Sequence, residues 1–323
     1  MKSRTKVAVG VVTVVGGLVA AGAAAARRVD RGWAGGTDPS APGDRILPAG
    51  EACTVVTDDG ASLAVTVAGS GPTVVLAHCW MGARETWAPV AHRLIRSGHR
   101  VVLYDQRGHG SSTVGSDGLT IPRLGGDLRA VLEAVDARDA VLAGHSMGGM
   151  TIQSLAVHHP DVLTERTRAI VLVSTSARDL SGDTRSSRRT EATLGQAWIE
   201  PLLSSTMGHA LVRGVFGERV HRDDLVLTRD HVVACAPEVR AGWFSAMARM
   251  DLVDGIASVA VPTTVMVGSR DTLTPPSRSD TIVAAIPGAA LQTLSGYGHM
   301  LPLEAPDIVV ATIRQHVSPL GDG

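Results

Sequence analysis

The seven residues Ala143-Gly144-His145-Ser146-Met147-Gly148-Gly149 set one hydroxyl among glycines, directly after the apolar run at 140–142 and before a stretch that reads helical. No other feature restricts the fold as strongly. A serine that merely caps a helix needs no glycine on either side. Gly-x-Ser-x-Gly between a buried strand and a helix fits a sharp strand-to-helix turn, a nucleophile elbow, in which the serine holds a strained backbone conformation. Its oxygen then stands at the helix N-terminus, where the dipole favours a developing negative charge. Gly144 and Gly148 are required because a Cβ at either position would strike the neighbouring strand or helix.

The rest of the chain supplies strands and helices in the order such a turn needs. Residues 51–57 and 62–68 read as strands joined by Asp58-Asp59-Gly60, a hairpin signal. Apolar runs suited to buried parallel strands follow at 73–77, 100–104, 140–143, 169–173, 263–267 and 290–294. Helical stretches lie between most of them, at 84–97, 123–137, 147–158 and 277–286. This alternation predicts an α/β fold: a mostly parallel central sheet, helices on both faces, and an antiparallel hairpin at the start. It breaks once, between residues 174 and 259, where polar stretches alternate with apolar ones carrying Trp198, Leu202, Leu203, Met207, Phe216, Trp243, Phe244 and Met247. An interval of that length without strands is expected to be a helical cap insertion, at about 176–258, over a pocket.

Composition excludes several chemistries. The 323 residues are 44% hydrophobic, enough for a sizeable core, and the formal net charge of -1 provides no field to attract nucleic acid. The only lysines are Lys2 and Lys6, so the folded part has no P-loop or Schiff-base lysine. Cys53, Cys79 and Cys235 show no CxxC spacing, and the scattered histidines form no ligand cluster, so no metal and no cofactor are expected.

Residues 7–26 carry no charge and match the length a helix needs to cross a bilayer. An uncleaved single-pass membrane anchor within residues 1–30 is the expectation, with a cleaved signal peptide and secretion as the rival. Residues 31–50, rich in Gly and Pro, read as a linker. The folded domain is then 51–318.

A serine is not an effective nucleophile at neutral pH without a base, so the elbow requires a histidine and a carboxylate further along. Asp271 follows the strand at 263–267, and His299 follows the last strand in Gly-Tyr-Gly-His-Met. Both are strand-end loop positions, where active-site groups of open α/β sheets collect. Asp251 and Asp254 stand as fallback carboxylates.

With these residues in place, the chain resembles the α/β-hydrolase fold superfamily over about 51–318. The matching stretches are GHSMGG, LAHCWMG (76–82), DQRGHGSS (105–112), VGSRDTLTP (267–275) and GYGHMLPLEAP (296–306). The resemblance implies Ser146 as nucleophile, His299 as general base and then acid, and Asp271 as the group fixing the imidazole tautomer. It assigns an oxyanion hole to the backbone N–H groups of Trp80 and Met147. It also implies that Asp105, Arg107 and His109 brace the active-site floor. One departure is Cys79, a residue with a Cβ where the family usually has glycine.

Trp80, Trp243 and Phe244 are candidates to line an acyl pocket, core packing being the rival reading for the last two. His145 is expected to have no catalytic role. A serine at the elbow, where dehalogenases and epoxide hydrolases have aspartate, implies hydrolysis of a small-molecule carboxylic ester with a hydrophobic acyl part. Thioesterase, C-C bond hydrolase and cofactor-free haloperoxidase or perhydrolase chemistry are the alternatives, and a non-catalytic ligand-binding protein is the alternative of another class.

Overall fold

The apolar runs pair into one sheet of β1 (Glu51–Val56), β2 (Ser62–Ala68), β3 (Thr73–Ala77), β4 (Arg100–Tyr104), β5 (Ala140–His145), β6 (Thr167–Val173), β7 (Thr263–Gly268) and β8 (Ala290–Leu294). The structure is a computed structural model that describes residues 43–179, 184–218 and 220–317. The strand order is β1-β2-β4-β3-β5-β6-β7-β8. β2 runs antiparallel to β1 and β4, and the remaining neighbours are parallel. The hairpin turn is the predicted one, with Gly60 at φ 82° and its N–H given to Thr57 O at 3.0 Å.

Alternate residues of the central strands go to opposite faces. Val74, Leu76, Val141, Ala143, Val171 and Val173 belong to one buried cluster, Val75, Ala77, Leu142 and Leu172 to another. That is why these strands read as continuous apolar runs. Connecting them are α1 (Ala88–Arg96), α2 (Ile121–Ala134), α3 (Met147–His158) and α4 (Pro160–Arg166). Between β6 and β7 come α5 (Thr184–Leu194), α6 (Glu200–Leu203), α7 (Thr206–Arg213), α8 (Arg222–Ala234), α9 (Pro237–Met247) and α10 (Val253–Ile256), followed by α11 (Pro276–Ala285), α12 (Leu301–Glu304) and α13 (Pro306–Gln315). The first cluster packs against α1 and α13, the second against α2, α3 and α11.

Among the described residues no strand lies between β6 and β7, and Arg178 and Asp251 pair as an isolated antiparallel bridge that joins the two ends of this helical interval. The chain passes from β3 outward to β4 and then back across to β5. The loops after β3 and β5 therefore diverge, which opens a crevice at the carboxyl ends of these strands.

The expected membrane anchor requires correction. No helix among the described residues is long and apolar enough to cross a membrane. Residues 7–26, on which that expectation rested, lie outside the described residues, as does the linker up to residue 42. The membrane placement is withdrawn.

Candidate active site

β5 ends at His145, and Ser146 turns the chain into α3 with φ 53° and ψ -115°. A non-glycine residue in this region costs about 1–3 kcal/mol and persists only where its surroundings fix it. Here the Ser146 N–H donates to Val173 O at 2.9 Å, and its carbonyl accepts the Thr175 hydroxyl at 2.6 Å. The glycines have the predicted reason. A Cβ on Gly148 would stand 2.0 Å from Ala77 O, and one on Gly144 2.3 Å from Gly148 O.

The same distances give a matched pair of predictions. Gly148→Ala forces β3 and α3 apart and lowers stability by about 3 kcal/mol. Gly126→Ala, in α2, meets nothing closer than 3.8 Å and raises stability by about 1 kcal/mol. Denaturant melts of the two variants check both signs.

Asp271 and His299 come together at the carboxyl ends of the strands. His299 Nδ1–H donates to Asp271 Oδ2 at 2.9 Å, with both side chains almost wholly buried. Asp271 Oδ1 accepts the N–H of Leu273 at 2.9 Å and of Thr274 at 2.8 Å, while the Thr274 hydroxyl donates to Oδ2 at 2.9 Å. Burial pushes this carboxyl up, but the His299 ring and the Thr274 bonds outweigh it, leaving the group below its ordinary value and ionised at neutral pH. Asp251, by contrast, sits exposed beside Arg178.

His145 joins the serine to the histidine. Its Nε2–H donates to His299 O at 2.8 Å, and the two rings lie 5.0 Å apart. Burial, then the nearby His299, lowers its value to about 3, so it stays neutral. His145, for which no catalytic role is expected, thus ties the end of β5 to the histidine loop.

The loop after β3 is held by the motif that follows β4. His78 gives Nδ1–H to Cys79 O at 2.7 Å and accepts the Gln106 N–H on Nε2 at 2.8 Å, while the Gln106 side chain donates to His78 O. His109 Nε2 accepts the Met81 N–H at 3.1 Å, and Asp105 accepts the Arg84 N–H at 3.0 Å. The left-handed backbone of this loop falls at Met81, φ 55°, and not at Cys79, so the Cys79 side chain needs no strained backbone. Burial pushes the Cys79 thiol up to about 12, which leaves it a small, inert core group.

Arg107 lies deeper. It bonds Asp59 and Asp127 with no side-chain exposure, and its carbonyl accepts the Trp243 indole N–H at 3.1 Å. Trp243 is fully buried in the core, whereas Trp80 and Phe244 are partly exposed with ring centroids 6.0 Å apart. Of the three aromatic pocket candidates, Trp243 is therefore a packing residue.

Sequence reasoning did not single out Thr274, Gln106, Thr175 or Glu304. Thr274 had a readable signal, Asp-x-x-Thr at a strand-end turn. The other three act on backbone atoms, for which residue spacing gives no sign.

Comparison with known proteins agrees with this fold. A family model described as "Serine aminopeptidase, S33" matches residues 70–306. Among curated proteins, the chain is 27% identical over 263 residues to a pimeloyl-[acyl-carrier protein] methyl ester esterase of Xanthomonas campestris, covering 79% of this chain and 99% of the relative. It is 24% identical over 274 residues to the karrikin insensitive 2 receptor IA of Petunia hybrida, covering 79% and 94%. A solved hydrolase structure from Pseudomonas aeruginosa superposes with a TM-score of 0.71 at 30% identity, over 84% of this chain and all of that one. The chain belongs to the serine aminopeptidase S33 family of the α/β-hydrolase fold superfamily and is a hydrolase.

Proposed function

We propose that this hydrolase cleaves a small-molecule carboxylic ester with a hydrophobic acyl part through an acyl-enzyme on Ser146. The observation that supports this most is the buried His299–Asp271 hydrogen bond together with a strained, glycine-flanked serine whose preceding residue bonds the histidine's own carbonyl. In this reading His299 takes the Ser146 proton as the oxygen attacks the ester carbonyl, and returns it to the departing alkoxide. Water then repeats the sequence on the acyl-enzyme. Asp271 holds the ring with its proton on Nδ1, leaving Nε2 free to accept.

The N–H groups of Trp80 and Met147 would hold the oxyanion. Met147 opens α3, so its N–H has no carbonyl one turn back to bond. No acceptor for the Trp80 N–H is found among the described residues. Trp80 and Phe244 supply an apolar wall, and the helical interval of about 176–258 acts as a cap within a single domain of 51–318.

The test is steady-state hydrolysis of p-nitrophenyl esters from acetyl to palmitoyl by the full chain. Turnover with an optimum above acetyl is expected. A folded protein that hydrolyses none of the series contradicts the proposal.

A further inference from the structure

The segment before α8 and the histidine loop are stitched together by backbone bonds. His299 N–H donates to Val215 O at 2.8 Å, and Glu218 N–H to Gly296 O at 2.8 Å. The two strips interlock through glycines, since a Cβ on Gly298 would lie 2.4 Å from Gly217 N. One side chain sits at this junction. Glu304, at the end of α12, accepts the Gly217 N–H at 2.7 Å and the Gly298 N–H at 3.1 Å on Oε2, and the Met300 N–H at 2.9 Å on Oε1. On the other side, Arg213 of α7 donates to the carbonyls of Phe216 and Glu218, each at 3.2 Å. A cation therefore holds this strip by its carbonyls, and an anion holds it by its N–H.

We infer that Glu304 is a positioning residue for His299: one inward-facing carboxylate fixes the peptides on both sides of the histidine and fastens them to the helical interval. The inference rests on the proposed role of His299. Three N–H groups converge on a carboxylate that accepts at both oxygens, and only the ionised form meets all three without an O–H in the way. A glutamine cannot replace it, because whichever way the amide turns, its NH2 faces an N–H donor.

Ionisation makes the clamp sensitive to pH. Burial pushes the Glu304 carboxyl up to about 7, against the pull of the three N–H groups and the His299 ring. The titratable and charged groups around it are His299 on its own loop, Arg213 on α7, and the Glu218–Arg270 pair across the strip. The 3-10 turn at Arg84–Trp87 and α1 also pack against α12, but there Arg84 bonds Asp105, Glu85 lies 3.7 Å from His231, and Arg93 bonds Asp307. The productive site thus needs two deprotonated groups, His299 to accept a proton and Glu304 to hold it in place.

The experiment measures the rate at which a fluorophosphonate labels Ser146 in the full chain between pH 5 and 9, for the parent, Glu304→Gln and Glu304→Asp. Proton NMR of each protein follows the low-field resonance of the His299 Nδ1–H bonded to Asp271. Glu304→Gln is expected to slow labelling about 10- to 100-fold above neutral pH. Its acid limb should be shallower than the parent's by one proton, and its low-field resonance should shift or vanish. Glu304→Asp, which keeps a carboxylate, should recover part of the rate and of the slope; it also carries the test if the glutamine variant does not fold. A folded Glu304→Gln protein with the parent's rate, slope and resonance overturns the inference. A parent that is not labelled at all refutes the role of Ser146 instead, and the resonance then decides the case of Glu304 alone.

Discussion

Asp271→Asn lowers ester turnover by about 10,000-fold while the protein stays folded. The size follows from which oxygen does what. Oδ1 accepts two backbone N–H groups, from Leu273 and Thr274, so the asparagine carbonyl is held at that position. Its NH2 is then forced into the place of Oδ2, against His299 Nδ1. Two donors cannot face each other, so the ring moves its proton to Nε2, the nitrogen that should take the Ser146 proton. The variant keeps its shape and loses its base. Steady-state kinetics checks the loss, and a circular dichroism spectrum matching the parent checks the fold. A variant within tenfold of the parent rate would mean that Asp271 does not set the tautomer.

The largest effect on stability is expected at Arg107. Its guanidinium bonds Asp59 at 2.6 and 3.0 Å and Asp127 at 2.6 and 2.9 Å, with side-chain exposures of 0%, 2% and 2%. Three distant pieces of chain meet there: the β1–β2 turn, the loop after β4, and α2. Arg107→Met leaves two carboxylates buried without their cation, a change that costs about 3–5 kcal/mol. Arg138→Met removes an exposed arginine that pairs with Asp136 and Glu165, and leaves the urea midpoint close to the parent's.

The acid dependence has a definite sign. The Arg107 hydrogen bond holds the Asp59 carboxyl well below its ordinary value of 3.8. Its contribution is present above that value and disappears as pH falls through the lowered one. The gap between Arg107→Met and the parent should therefore narrow below about pH 4, which urea titrations at pH 7 and pH 3 measure.

What the sequence reveals and what it hides divides along physical lines. β3 through β7 are legible because strands buried on both faces are apolar along most of their length, and the ladder reproduces the runs to within two residues at either end. Their spatial order is not legible, since nothing in a run such as Arg100–Tyr104 says that it lies outside β3. The short helix Pro160–Arg166 and the last helix, Pro306–Gln315, were not anticipated, although both open with proline in the first turn.

Ser146, Asp271 and His299 are legible as candidates because each stands at a strand end with a residue type that the proposed chemistry demands. Gln106, His145 and Glu304 are harder to read, because they work through hydrogen bonds to backbone or to another side chain that only the folded loops define. Trp243 illustrates the same limit. An aromatic side chain suits a pocket and a core equally well, and the hydrogen bond to Arg107 O decides between them.

The measurement that tests the central claim most directly is rapid-mixing hydrolysis of p-nitrophenyl acetate with the full chain, followed by acid quench and peptide mass analysis. The account predicts a burst approaching one p-nitrophenolate per chain and an acetyl mass on the peptide containing Ser146, both absent from Ser146→Ala. Turnover in which the acetyl group is found on another residue, or which persists in Ser146→Ala, would contradict it.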